Sequence, residues 1–241
     1  MSRYANLISG LLHIQSGIRS LRVSIVLTLL LAMLPIVAVL SAPPSDMIEA
    51  IAAATSLGLS LLYLLLILMA SGELVRIGYS LRDVGVVELV MSRGIALSEV
   101  FFSLWVSSSL RYLLFVAVGG VVADLSSFVI GALSPQESAV FILGLALSAG
   151  LISSICILFS LFMSPGEAQY WLEMVLLSAL GWIYHGLLIN PSIDDSGREF
   201  VRHLLYGFID PTVLANEALG IVILMTIIAE LSEELTPLEG E

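Results

Sequence analysis

With 59% hydrophobic residues, 12% charged residues and a mean hydropathy of +1.05, a chain of 241 residues cannot be wrapped into a water-soluble globule. It reads as an integral membrane protein of the all-α class. The net charge is −11, every one of the nine basic residues is an arginine, no nucleic-acid partner is expected, and the single cysteine, Cys156, lies inside an apolar run, which excludes a disulfide framework or a metal cluster.

The first segment, residues 1–22, predicts an amphipathic helix. Tyr4, Leu7, Ile8, Leu11, Ile14 and Ile18 gather on one side of a helical wheel and Asn6, Ser9, His13, Ser16 and Ser20 on the other, a pattern suited to the membrane interface. Six apolar runs follow, each long enough or nearly so to cross a hydrocarbon core of about 30 Å: Ser24 to Ala42, Ala50 to Ala70, Val100 to Val122, Ala139 to Met163, Leu172 to Ile189 and Ala215 to Leu231. The first run exceeds a signal-peptide core of about 7–15 residues, so it is read as a membrane helix and not as a cleaved leader. One transmembrane domain results, a six-span bundle over 24–231 with an acidic tail at 232–241.

Arginine sets the orientation. Arg3, Arg19 and Arg22 precede the first span, and Arg76, Arg82 and Arg93 lie between the second and third, whereas Arg198 and Arg202 fall on the other side. The positive-inside bias puts both termini in the cytoplasm of a multi-pass protein of the cell membrane.

The connection from Ser71 to Glu99, about 29 residues, is longer than the two to eight that usually join neighbouring helices. Its second half, Gly85 to Val100, is a short helix-like stretch carrying charge, which points to a surface made for another protein. Gly85, Glu88 and Ser92 form a polar stripe beside Val84, Val87 and Met91, so the helix is expected to half-sink into the bundle with its polar edge outward. Gly94 is expected to break it, and Ser98 with Glu99 to cap the next helix, the Glu99 carboxylate favouring the positive helix end.

Within the third span, Arg111 is a costly charge, and Ser103 and Ser107 stand eight and four residues before it on the same face. Two readings stay open. The stripe lines a translocation path or a dimer seam, with Arg111 handling an anionic group or an acidic residue near the outer surface, or Arg111 is a structural residue snorkelling to the outer interface. Ser164-Pro165-Gly166-Glu167 predicts a compact turn. In the outer segment, Asn190 to Asn216, Asp194 or Asp195 is expected to cap a short helix around Phe200 to Phe208, and Asp210-Pro211 reads as a second cap-and-start signal.

The segment around Gly85 resembles the cytoplasmic coupling segment of membrane subunits of type 2 ATP-binding-cassette exporters, which in one-letter form reads like EEGTLELLLSTPVSRREI. Aligned without a gap, Gly85, Glu88, Leu89, Ser92 and Glu99 match, and Ile95 and Val100 are similar aliphatics. The order of parts is also similar to that family: interfacial pre-helix, two spans, coupling segment, four spans, and a folded outer segment before the last. Gly94 stands where proline is usual, Arg93 replaces threonine, and Ser103-Leu104 occupies the place of a common Gly-Lys pair.

The resemblance implies a permease subunit whose coupling helix, between spans 2 and 3, docks a separate ATPase through Asp83, Gly85, Glu88, Leu89, Ser92, Arg93, Gly94 and Glu99. The chain cannot bind nucleotide in a Walker loop itself, because G-x-x-x-x-G-K-S/T needs a lysine and there is none. ATP with magnesium is therefore expected on the partner, with no cofactor in this chain, and the path is expected to form as a homodimer or with a related permease in the lipid bilayer. A membrane scaffold or assembly subunit is the alternative, since the same segment could serve only as a docking platform. An intramembrane enzyme is less favoured. No G-x-S-G nucleophile loop, H-E-x-x-H zinc motif or G-x-G-D aspartyl motif is present, and His13, His185 and His203 fall in dissimilar places. A secondary transporter lacks support from any repeat between the two halves.

Overall fold

In the computed structural model, which describes Val26, Leu30, residues 33–41, 47–82, 84–129, 134–175, Ser178 and residues 208–234, every regular element among the described residues is an α helix. Proline placement shows why the helices run unbroken. The four described prolines, Pro35, Pro135, Pro165 and Pro211, all stand in the first turn of a helix, where a missing N–H costs nothing. The helices are α1 (Leu34–Ser41), α2 (Met47–Ser80), α3 (Val84–Ser92), α4 (Leu97–Val129) and α5 (Pro135–Phe162), then a helical stretch over 165–175, and finally α6 (Pro211–Glu234).

Local caps set several boundaries. Ser134 and Glu137 form a capping box: the Glu137 N–H donates to Ser134 Oγ at 3.3 Å, and the Ser134 N–H donates to Glu137 Oε2 at 2.8 Å. Asp210 receives the N–H groups of Thr212 at 2.8 Å and Val213 at 3.2 Å, so Asp210-Pro211 does start a helix, as read. The Ser164-Pro165 turn is compact as well. The helix resumes at Pro165, and the Ser164 hydroxyl donates to Glu167 Oε2 at 2.8 Å. Ser98 does not cap α4, which begins one residue earlier at Leu97. Ser98 lies inside the first turn, beside Glu99, a position where a negative charge suits the positive end of the helix.

The contacts order the helices. Gly78 and Arg82 at the end of α2 meet Ser160 near the end of α5, so these two run in the same direction. Asp124 accepts a hydrogen bond from Ser138, and Trp105 donates to Gly150, so α4 runs against α5. Gly144, Ser148 and Gly150 of α5 meet Phe208, Glu217 and Ile221 in turn, so α5 and α6 are parallel. Two parallel helices joined in sequence require the chain between them to return. Residues 165–175 begin that return alongside α2, where Gln169 and Ser71 both donate to Glu173 Oε1.

Among the described residues, α5 and α6 are long and apolar enough to cross a membrane, and a third span is added if the pair Val86–Ser92 and Leu97–Phe115, bent by 105°, counts as one. Helix α5 is the central one, with 61% of its apolar window buried, against 17% for α6. Leu219, Val222 and Ile223 accordingly form an exposed apolar face on α6. The pre-helix of residues 1–22, part of the run from Ser24 to Ala42, the bulk of that from Leu172 to Ile189, the cap at Asp194 or Asp195 and the tail beyond Glu234 lie outside the described residues.

The largest difference from the predicted boundaries is at the end of α2. Helix α2 has 34 residues, about 51 Å at 1.5 Å per residue, and runs ten residues past Ala70. Ser71, Gly72 and Glu73 look like the start of a loop in an apolar chain, yet the helix carries them into the bundle. Ser71 Oγ also donates to the Leu68 carbonyl at 3.2 Å, and Glu73 meets Arg111. The long connection therefore shrinks to a turn after Ser80, helix α3 and a second turn at 93–96.

Candidate functional site at the elbow between α3 and α4

Helix α3 has nine residues and is followed by a sharp turn. The Gly94 N–H donates to the Met91 carbonyl at 2.7 Å and the Ile95 N–H to that of Val90 at 3.3 Å, closing the helix with Gly94 at φ 63°. A left-handed residue at this point is what a glycine after a helix supplies at no steric cost. Gly94 thus breaks the helix as expected, and the next one leaves at 105° to it.

The two faces of α3 separate as the periodicity predicts. Val87 is 3% exposed and Met91 is half-buried, whereas Glu88, Leu89 and Ser92 face outward. Leu89 is the informative one, because a leucine left 54% exposed beside Glu88 offers an apolar contact on the outer surface. The Ser92 hydroxyl donates to the Leu89 carbonyl at 2.9 Å. Arg93 is exposed, Glu99 is half-buried in the first turn of α4, Gly85 lies in α3, and Asp83 falls outside the described residues.

Farther along α4, Ser103, Ser107 and Arg111 do share a face, and that face points into this chain's own bundle. Ser103 and Ser107 are fully buried and Arg111 is 5% exposed. The guanidinium is held bidentately by Glu73 of α2, with Nη1 to Oε2 at 2.6 Å and Nη2 to Oε1 at 3.3 Å, and it lies 5.9 Å from the centre of the Phe115 ring. Ser107 and Ser108 donate to the Leu104 carbonyl at 2.9 Å and 2.6 Å, a local satisfaction that lets hydroxyls sit in an apolar core. The acidic partner of Arg111 thus stands in the last two turns of α2, on the side of the elbow.

Sequence reading gave Glu73 no role, because it took residues 71–99 as a connection. The available signal was the unbroken helical spacing of Leu74, Val75 and Gly78 behind it, all buried. Two other polar contacts were also missed: Asp124 with Ser138 at 2.5 Å and Glu217 with Ser148 at 3.1 Å. Each joins residues on different helices, which no local pattern reveals.

The fold and its apolar surface define a helical membrane protein. Comparison with protein-family models, with curated proteins and with solved structures finds no match to this chain.

Proposed function

We propose that this chain is a six-span permease subunit of an ATP-binding-cassette exporter, forming a translocation path with a second permease and driven by separate ATPase subunits. The observation that carries this reading is the elbow. A short helix anchored by Val87 presents Glu88, Leu89 and Ser92 outward at residues that match the coupling segment of that family. The alternation of helix directions, with a return between α5 and α6, supports the expected count of spans.

In this reading the elbow faces the cytoplasm, together with Arg76, Arg82 and Arg93, in keeping with the positive-inside bias. Closure of two ATPase subunits on nucleotide pushes α3. Because α3 joins α4 through the short turn at Gly94, the push becomes a rigid-body movement of α4, and the Arg111–Glu73 pair couples α4 to α2. Both permeases move in this way, and access to the path alternates.

Purification from the native membrane in mild detergent, with mass spectrometry and an ATPase assay of wild type against Glu88→Arg, tests the proposal. Recovery of a Walker-motif subunit, lost or uncoupled by Glu88→Arg, is the expected result. Recovery of no ATPase with the wild-type protein overturns the reading in favour of a scaffold.

A further inference from the structure

Beside the elbow lies a cleft of about 270 Å³, bounded by Met91, Ile95, Ala96 and Leu97 on one side and by Ser232 and Glu233 at the end of α6 on the other. Leu97 and Ser232 are buried and make its floor, while Ala96 and Glu233 are exposed at its rim. The Ser232 hydroxyl already donates to the Ala229 carbonyl at 2.7 Å, so the floor presents mainly apolar atoms. The volume falls just below the ~300–1,000 Å³ of small-molecule pockets, which suits an inserted side chain better than an enclosed ligand.

Charge decides what kind of molecule brings that side chain. The two wall segments, 91–99 and 230–234, hold the four carboxylates Glu99, Glu230, Glu233 and Glu234 against one guanidinium, Arg93. Glu99 is half-buried at the start of α4, and Glu230, Glu233 and Glu234 are exposed on one side of α6. An anionic lipid headgroup is repelled from such a rim, whereas a segment with lysine or arginine flanking an apolar residue is drawn to it.

From this geometry, and resting on the permease reading above, we infer that the cleft is a second docking point for the partner ATPase. It takes an apolar side chain flanked by basic residues of that subunit, so that the end of α6 as well as α3 receives the push. Helix α6 is suited to carry it, since its 24 residues run about 36 Å from the elbow to the far end of the bundle, where Phe208 packs on Gly144.

The test uses the full-length protein with the ATPase that co-purifies with it, comparing wild type, Ala96→Trp, which fills the cleft from its rim, and the double variant Glu230→Arg/Glu234→Arg, whose changes lie on exposed positions. Both variants are expected to lower affinity for the ATPase at least tenfold, and the wild-type affinity is expected to fall as salt is raised. Labelling of Cys156 checks that each variant is folded. If both variants hold the ATPase within twofold of wild type while Glu88→Arg loses it, the cleft is no docking point and the permease reading survives. A wild-type protein that holds no ATPase sinks both. Native mass spectrometry that finds a lipid on wild type and none on Ala96→Trp replaces the ATPase with a lipid as the occupant.

Discussion

Arg111 of α4 and Glu73 of α2, 38 residues apart in sequence, meet as a bidentate ion pair at 2.6 Å, with their side chains 6% and 12% exposed. Helices α2 and α4 are thereby tied at a point where neither charge has ready access to water. Removing one partner leaves the other buried and uncompensated, which costs about 3–5 kcal/mol. Glu73→Ala or Arg111→Leu alone is therefore expected to lower the thermal stability of the detergent-solubilised protein strongly. The double variant Glu73→Ala/Arg111→Leu removes both charges and is expected to recover most of the loss. Thermal unfolding of the four proteins measures the coupling, and simple additivity of the two single losses contradicts it.

Gly94 is the one described glycine at positive φ, and its N–H is bonded to the Met91 carbonyl. Gly94→Ala is expected to cost about 1–2 kcal/mol, the penalty for an L-residue in the left-handed region. Gly94→Pro is expected to be worse, although proline is usual there in the resembled segment, because the ring forbids φ 63° and removes the donor. Comparing the unfolding temperatures of the two variants tests this order. A Gly94→Pro protein as stable as the Gly94→Ala protein is the contrary result.

Two helical glycines should respond oppositely to alanine. A Cβ on Gly144 overlaps the Phe208 carbonyl oxygen and stands 2.8 Å from the Phe208 Cα, a backbone that cannot turn aside, whereas on Gly72 the nearest atom is Gln169 Nε2 at 4.0 Å. Gly144→Ala is expected to destabilise by about 1–3 kcal/mol through overpacking. Gly72→Ala is expected to stabilise by roughly 0.5–1 kcal/mol, because alanine loses less backbone entropy in a helix. Equal effects of the two in chemical or thermal unfolding contradict the packing described.

Trp105 donates its indole N–H to the Gly150 carbonyl at 3.0 Å, joining α4 to α5 at a carbonyl that also accepts from Ser154. Trp105→Phe keeps most of the apolar bulk and removes the donor, so a loss of about 0.5–1.5 kcal/mol is expected. Thermal unfolding measures it, and a Trp105→Phe protein as stable as wild type speaks against this bond as a tie between the two helices.

Cys156 is the single thiol of the chain and is fully buried in α5. A maleimide is expected to label it only as the bundle opens, with a rate that rises in the Glu73→Ala and Gly144→Ala proteins before it rises in wild type. Rapid labelling of the intact wild-type protein contradicts that burial.

The sequence by itself determined the all-helical class, the apolar character, the start at Asp210-Pro211, the turn at Ser164-Pro165, the split faces of α3 and the break at Gly94. These depend on composition, on a 3.6-residue period and on the backbone preferences of proline and glycine, all local properties that a linear chain displays. Only the tertiary structure decided that α2 continues through Ser71, Gly72 and Glu73, that Arg111 turns inward to Glu73, and that α5 and α6 are parallel. A charged residue in an apolar chain looks alike whether it ends a helix or pairs inside the bundle. The difference lies in a partner on another helix, brought within reach only when the helices pack.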